Sequence, residues 1–330
     1  MLHYNVRLYS GPTSRYEVTA HFMKVISIAP GHNATLAYFD NGRCLSVLHE
    51  EKFSNIKNHV GFPECALAYL LERHPANEID KFVFTTNQQF TLNVPGASTD
   101  KLAGQVESAS QGPLRRIFNW LEYKTGFKPV FSGIRNTILN RFVSPKAWEK
   151  TIQWLESTYR IPRDKIVSID HHLCHALTPV FFFGLSQDNE KSLLITVDGA
   201  GDNASSKIFV FDPVGSYQQI ACTDFDSSIG LVYAEATKFL GMKVNEHEYK
   251  VMGLAAYVSE EKYYGTAYRK LRSMIWLDRD KLEFRSKFNT NVSSLFYRDN
   301  FPYVRFDNIA AATQKLTEEF IVDPNFQTAI

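Results

Sequence analysis

Two stretches of this sequence share one order of secondary structure, in which three short apolar runs precede an amphipathic helix. The first stretch, 24–74, opens with the run Lys24–Ala29, which ends at a Pro-Gly pair typical of a tight turn. The next runs, Ala34–Phe39 and Cys44–Leu48, are joined by Asp-Asn-Gly, and Asn-Gly between apolar runs is a strong hairpin signal. The apolar spacing of Glu64–Arg73 predicts a helix. These elements indicate an α/β domain with a mixed sheet.

The second stretch, 192–240, repeats this order. Its three strand-like runs and its helix are Ser192–Val197, Ser206–Phe211, Tyr217–Thr223 and Gly230–Leu240. The repetition predicts two related halves. Between them, two amphipathic pieces with helical spacing, Leu114–Tyr123 and Ala147–Thr158, interrupt the sheet pattern. We therefore expect one domain over 23–330 with a helical insertion at about 104–160.

The net charge and the spacing of the cysteines restrict the kinds of molecule that this chain is expected to bind. The 330 residues carry a formal net charge of +1, so no electrostatic footprint favours nucleic acid or an anionic membrane. The apolar stretch Pro179–Leu185 is far shorter than the roughly twenty residues that span a bilayer. The four cysteines lack the close pairing of a zinc or disulfide framework. These observations predict a cytoplasmic protein that binds small molecules, with neither a nucleic-acid nor a membrane partner.

The amino-terminal segment Met1–Phe22 lacks both the apolar core of a signal peptide and any periodicity. Met23 directly precedes the first predicted strand, which favours Met23 as the native start. We expect residues 1–22 to be a poorly ordered extension, and an ordered extra strand is the alternative.

A histidine-rich segment, Asp170–Ala176, is the most informative for chemistry. On a helix, His171 and His175 lie on one face, so they can bind one ion together, whereas His172 points elsewhere. Histidine is the commonest transition-metal ligand, and two histidines with one carboxylate leave positions open for substrate. The alternative is a pair of capping or core histidines, with Asp170 as the N-cap.

Two glycine-containing segments follow predicted strands. The segment Asp198–Asp202 would present Asp198 at the carboxyl end of a strand, and its glycines would let backbone N–H groups approach an anion. An ordinary turn between strands is the alternative. His32, in the equivalent turn Gly31–Ala34, is a candidate acid/base or substrate ligand, or else a solvated turn histidine.

Together these segments resemble the O-carbamoyltransferases of nodulation-factor, tobramycin and cephamycin synthesis. Three further segments carry the resemblance, namely Glu50–Lys57, Ser228–Tyr233 and Asn245–Ala255. Lys52 stands where the family usually has Arg, and Ala256 where it usually has Pro. The matches follow the order of the family from about residue 24 to residue 256.

The resemblance implies a duplicated actin-like fold of the sugar-kinase (ribonuclease H-like) type and a bound divalent transition metal, commonly iron. The metal ligands that it implies are His171, His175 and Asp198, with His32 as the candidate catalytic residue. The residues that it places against the adenylate phosphate or along the nucleotide cleft are Gly199, Gly201, Asp202, Ser228, Gly230 and Tyr233.

Members of this family transfer a carbamoyl group from carbamoyl adenylate to a hydroxyl group. A separate carboxyl-terminal domain makes the adenylate from carbamoyl phosphate and ATP. We therefore expect carbamoyl adenylate and a small-molecule hydroxyl acceptor, such as a sugar or an antibiotic-like alcohol, as partners. A homodimer is left open.

The carboxyl end departs from the family pattern. After a predicted helix at Asn308–Ile321, the residues to Ile330 do not resemble the strand, Gly-Gly loop and last metal-binding aspartate that the family has next. We expect an incomplete second half, no adenylate-forming domain, and a fragment with little activity alone. A non-catalytic metal or nucleotide binder, or a regulatory short form, is the alternative. A kinase of this fold is disfavoured because such kinases do not need the histidine pair.

Overall fold

The computed structural model describes residues 23–87, 113–126, 144–182, 190–212 and 215–322. The extension predicted over residues 1–22 lies outside the described residues, as does 323–330. The poor order expected of that extension therefore stays a prediction.

Strands and helices follow one another along the described residues. The strands, in chain order, are β1 (Lys24–Ala29), β2 (Gly31–His32), β3 (Thr35–Asp40), β4 (Arg43–His49), β5 (Val60–Gly61), β6 (Lys81–Phe84), β7 (Ile166–Ser168), β8 (Ser192–Gly201), β9 (Ala204–Phe211), β10 (Tyr217–Asp224), β11 (Ile275–Asp278) and β12 (Glu283–Ser286). The helices are α1 (Glu51–Ser54), α2 (Glu64–Arg73), α3 (Pro113–Thr125), α4 (Ser144–Tyr159), α5 (His171–Phe182), α6 (Ile229–Phe239), α7 (Glu248–Ala255), α8 (Glu261–Met274), α9 (Ser293–Asn300) and α10 (Phe306–Ile321).

The first compact unit comprises Met1–Gly112 and Ile134–Leu177. Its main sheet has the strand order β4-β3-β1-β6-β7. The β1–β3 and β3–β4 pairs are antiparallel, whereas the β1–β6 and β6–β7 pairs are parallel. Asn41 and Gly42 close the β3–β4 hairpin at positive φ angles of 53° and 76°, which a tight two-residue hairpin turn of this kind requires. The mixed sheet and the Asn-Gly hairpin are therefore as predicted.

One face of this sheet forms the core of the first unit. Alternate residues of its strands are buried, as expected when side chains point to opposite faces. The buried strand residues include Ile26, Ile28, Leu36, Tyr38, Phe82 and Phe84. Helices α2 and α4 cover this face with Leu67, Leu70 and Leu155.

A buried carboxylate holds the start of α2. Glu50 is 1% exposed, and its carboxylate oxygens accept hydrogen bonds from the backbone N–H groups of Cys65 at 3.0 Å and Ala66 at 2.8 Å. First-turn N–H groups have no partner within their own helix, and a negative charge there complements the helix dipole. Glu50 thus has a structural role within the motif that begins with it.

The second compact unit comprises Pro113–Gly133 and Thr178–Ile330. Its antiparallel sheet has the order β10-β9-β8 and is followed by α6, so three strands and a helix recur as predicted. The α/β class, the mixed sheet and the repeated order of three strands and a helix are thereby confirmed. The buried core lies among α6, α8, α9, α10 and β12, and its members include Val232, Leu271, Phe284, Tyr297, Leu316 and Phe320.

The region predicted to be a helical insertion contributes to both units. Helix α4 belongs to the first unit and α3 to the second. In the second unit, Tyr123 packs edge-on against Phe288, and Lys124 pairs with Asp299 at 3.0 Å. The remainder of the 104–160 range lies largely outside the described residues.

Among the residues that are described, no helix has both the length and the apolar character needed to cross a bilayer.

The Glu50 cap predicts a specific loss of stability. In Glu50→Gln, one of the two helix N–H groups would face an amide NH2 instead of a carboxylate oxygen. We expect the free energy of unfolding to fall by about 2 kcal/mol, because hydrogen bonds to charged groups contribute roughly 1.5–3 kcal/mol. Denaturant titration checks this, with Glu72→Gln as the control because the Glu72 side chain is 76% exposed. Equal stability of the two variants would contradict the capping role.

Candidate metal centre

Helix α5 begins with a side-chain cap. The Asp170 carboxylate accepts a hydrogen bond from the Leu173 N–H at 3.0 Å, and the Asp170 carbonyl accepts one from the Cys174 N–H at 3.0 Å. Asp170 is therefore the N-cap, as one sequence interpretation had it. The cap fixes where the helix starts and hence which face its first residues occupy.

His171 and His175 meet on one face of α5. Their Nε2 atoms lie 3.0 Å apart, and their rings are nearly perpendicular, at 85°. His172, between them, is fully buried, whereas His175 is exposed. As predicted, His171 and His175 share a face of the helix and His172 does not, because residues four apart lie on one face and adjacent residues do not.

The distance between the two Nε2 atoms allows a test of metal fit. Nitrogen ligands about 2.1 Å from one ion, and about 90° apart at that ion, would lie about 3.0 Å from each other. The observed 3.0 Å suits that arrangement. It also suits a hydrogen bond between a protonated and an unprotonated ring nitrogen. The distance therefore agrees both with joint ligation of one ion and with a hydrogen bond, and a metal titration distinguishes the two states.

Asp198 lies within strand β8, and its own backbone orients its carboxylate. The Gly199 N–H donates to Asp198 Oδ1 at 2.6 Å. The same peptide unit is held at its other end, because the Ser228 hydroxyl donates to the Asp198 carbonyl oxygen at 3.1 Å. A peptide unit is planar, so the two contacts together set its orientation.

The predicted glycine turn after Asp198 differs from the observed backbone. Strand β8 continues through Gly201, which pairs with Ala204, and the register shifts between Val197 and Gly201. The turn residues are Asp202 and Asn203, with φ of 49° and 63°. Asp and Asn adopt left-handed backbone more readily than other non-glycine residues, so they form the hairpin turn there.

Ser228 and Gly230 lie at the start of α6, against the Asp198–Gly199 peptide. The Ser228 hydroxyl oxygen accepts the Leu231 N–H at 3.0 Å and so caps the helix. A Cβ added at Gly230 would lie 2.8 Å from both the Asp198 carbonyl oxygen and the Gly199 nitrogen. Glycine is required at this position because backbone approaches backbone. Gly230 therefore has a structural role in packing, besides the place along the nucleotide cleft that the resemblance implies.

Tyr233 lies one turn further along α6 and is half-buried. Its hydroxyl donates to Gln314 Oε1 at 2.9 Å. Burial, and secondarily the charges of Glu248 and Glu318, raises the pKa of Tyr233 to about 12, so it is a neutral hydrogen-bond donor at ordinary pH.

A cavity of about 360 Å³ lies between α7, α8 and α10, and its lining includes the polar residues Gln314 and Lys315 and the apolar residues Met252 and Ala311. The sequence interpretation did not single out Gln314 or Lys315. The helical pattern of α10 places them on a helix but says nothing of which face borders a cavity.

His32 lies in the short strand β2, in the first unit. It pairs with Val60 of β5, and the next residue, Asn33, has a positive φ of 56°. The His32 side chain is exposed. The backbone after it is fixed by the Ala34 N–H, which donates to the His59 carbonyl at 3.1 Å.

The structure thus brings predicted residues together in two groups. In the first unit, the imidazoles of His171 and His175 meet. In the second, the Asp198–Gly199 peptide contacts Ser228 and lies against Gly230. Gly201 and Asp202 lie at the β8–β9 hairpin, and Tyr233 contacts Gln314.

Comparison with known proteins finds one family over nearly the whole chain. A family model described as "Carbamoyltransferase N-terminus" matches residues 24–329. An uncharacterized protein of Methanocaldococcus jannaschii is 25% identical over 284 residues, which cover 80% of this chain and 43% of that protein. A second uncharacterized protein of the same organism is 23% identical over 307 residues, which cover 86% of this chain and 47% of that protein. The chain thus spans less than half the length of these two relatives.

A shorter stretch resembles a nodulation protein more strongly. Nodulation protein NolNO of Sinorhizobium fredii is 39% identical over 93 residues, which cover 28% of this chain and 13% of that protein.

The close approach at Gly230 predicts a cost for the smallest side chain. In Gly230→Ala, the methyl group would meet backbone at 2.8 Å, so the Asp198 peptide or α6 must shift. We expect a loss of about 1–3 kcal/mol in the free energy of unfolding, as for other overpacked sites.

Gly253→Ala is the matched control, because a Cβ there meets nothing within 4 Å. In a helix this change should stabilise by up to about 1 kcal/mol. The free energy of unfolding of both variants is measured by denaturant titration. An unchanged or raised stability of Gly230→Ala would show that the start of α6 can accommodate a methyl group.

Proposed function

The chain belongs to the carbamoyltransferase N-terminus family, and we propose that it takes part in transfer of a carbamoyl group from carbamoyl adenylate to a hydroxyl of a small molecule. A sugar or an antibiotic-like alcohol is the proposed acceptor class. The proposal rests on the family and on one observation above all, namely that His171 and His175 present two ring nitrogens 3.0 Å apart on one helix face.

The proposed metal ligands are His171, His175 and Asp198, and the proposed metal is a divalent transition ion, Fe(II) first. Two histidines and one carboxylate are the donor set that holds non-haem Fe(II) and leaves positions open. Support for Asp198 comes from its oriented carboxylate, whose Oδ1 accepts the Gly199 N–H. When bound, the metal supplies a Lewis acid that polarises a carbonyl oxygen.

The protein residues then have distinct tasks in the proposal. The acceptor hydroxyl oxygen attacks the carbamoyl carbon, the bond from that carbon to the phosphate oxygen breaks, and AMP leaves with the electron pair. His32, an exposed imidazole, takes the proton of the hydroxyl. General-base help of this kind contributes typically about 10²–10⁴-fold.

The remaining residues of the proposal hold the adenylate. The backbone of Gly199, Gly201 and Asp202 is proposed to lie against its phosphate, and Tyr233 along the nucleotide cleft. Ser228 and Gly230 are proposed to shape that cleft by holding the Asp198–Gly199 peptide. Support comes from the neutral, donating hydroxyl of Tyr233, whose partner Gln314 also borders a cavity of about 360 Å³. That volume is within the range of small-molecule sites, about 300–1,000 Å³.

Supplying the activated donor tests the reaction directly. The chain, loaded with Fe(II) under argon, is mixed with synthetic carbamoyl adenylate and a panel of sugars and aminoglycosides. We expect slow AMP release that depends on the acceptor and yields an O-carbamate by mass spectrometry. His32→Ala should lower the rate about 100-fold or more, and His175→Ala about 100- to 1,000-fold, as for loss of a charge-stabilising group.

His49→Gln is the control, because His49 lies on the exposed edge strand β4 and contacts Thr35. Its rate should equal that of the wild type. Equal rates in wild type and His175→Ala would contradict the proposed site. Binding of metal and adenylate without any carbamate product would contradict transfer by this chain and favour a binding role.

A further inference from the structure

The residues that precede α6 are fastened to a loop far along the sequence. The Ser228 N–H donates to the Thr290 hydroxyl oxygen at 3.0 Å, across a separation of 62 residues. Both residues are fully buried. A buried N–H group without a partner is costly, so this bond restricts where the Ser228 backbone can lie.

The loop that carries Thr290 is itself fixed by buried polar contacts. The Asn289 side-chain amide donates to Asp226 Oδ1 at 2.5 Å, and its carbonyl oxygen accepts the Asn291 N–H at 2.9 Å. The Ser293 hydroxyl donates to the Thr290 carbonyl at 2.6 Å. Asn289 therefore ties the loop to the turn that precedes Ser228, and Ser293 prevents Thr290 from moving away.

Ser228 passes this constraint on to Asp198. Its hydroxyl accepts the Leu231 N–H and donates to the Asp198 carbonyl oxygen, so one side-chain rotamer satisfies both contacts. The carbonyl of Asp198 and the N–H of Gly199 belong to one planar peptide unit. That N–H donates to the Asp198 carboxylate. A displacement of Ser228 therefore changes the direction in which the Asp198 carboxylate is held.

We propose that Thr290 is a positioning residue for the Asp198 carboxylate, acting through Ser228 and the Asp198–Gly199 peptide. The inference rests on the proposed function, in which Asp198 is a metal ligand. Groups that orient a metal ligand without touching the metal typically change affinity about 10- to 100-fold when removed. Thr290 would act in this way through three successive hydrogen bonds, from Thr290 to Ser228, from Ser228 to the Asp198 carbonyl, and from the Gly199 N–H to the Asp198 carboxylate.

The test uses three variants of the whole chain. Thr290→Val keeps the shape and removes the hydroxyl, whereas Thr290→Ser keeps the hydroxyl. Thr223→Val is the matched control, because the buried Thr223 hydroxyl accepts the N–H of Phe284, 61 residues away, at 2.9 Å. Thr223→Val leaves an equivalent buried N–H group in the same unit without its hydrogen-bond acceptor, and it does not change the contacts of Ser228.

Two readouts are taken on each variant. Co(II) affinity is measured by titration followed through the absorption of the bound ion. Hydrogen exchange is measured by mass spectrometry on peptides that contain Gly199 and Leu231. We expect Thr290→Val to bind Co(II) about 10- to 100-fold more weakly and to exchange faster in both peptides. Thr290→Ser should recover both values, and Thr223→Val should match the wild type in both.

The outcomes separate this inference from the proposed function. If wild type binds Co(II) and Thr290→Val binds it equally well, the positioning role is overturned and the metal site stands. If wild type binds no Co(II), the proposed metal site fails, and the exchange rates alone decide whether Thr290 orders the Asp198 peptide. Equal losses in Thr223→Val and Thr290→Val would show general destabilisation and would overturn the inference.

Discussion

The part of the candidate site that lies in the second unit depends on the orientation of the peptide unit between Asp198 and Gly199. Its carbonyl accepts the Ser228 hydroxyl, its N–H donates to the Asp198 carboxylate, and Gly230 lies against it. Each contact needs a particular residue, because the hydroxyl, the carboxylate and the missing side chain are not interchangeable. Backbone groups and a buried hydroxyl thus constrain the orientation of this acidic side chain.

The geometry of the histidine pair depends on contacts between residues that are close in sequence. The Asp170 cap fixes the start of α5, and helical spacing then turns His171 and His175 to one face. These contacts join residues within one helix and its N-cap. Two ligands of the proposed set therefore follow from a single helix turn, whereas the orientation of the third depends on tertiary packing within its own unit.

This difference explains what the sequence could and could not predict. The Asn41-Gly42 hairpin, the histidine pair and the repeated strand order depend on neighbouring residues, so their patterns are visible in the chain. The sequence predicts a glycine turn over Asp198–Asp202, but β8 continues through Gly201, and Asp202 and Asn203 form the turn, because glycine permits a turn without requiring one. The link from Thr290 to Ser228 spans 62 residues, and no local signal marks a threonine as the acceptor for a distant N–H group.

Anaerobic Fe(II) titration of the metal-free chain measures whether the proposed ligands, His171, His175 and Asp198, hold one metal ion. We expect tight binding by wild type and by His49→Gln. His171→Ala, His175→Ala and Asp198→Ala should each weaken binding by more than the roughly 10- to 100-fold typical of residues that only orient a ligand. Binding should also weaken towards acidic pH, because imidazole and carboxylate must be deprotonated to bind a metal. Absence of metal binding in wild type, or binding by His171→Ala and His175→Ala that equals that of wild type, would overturn the proposed metal site.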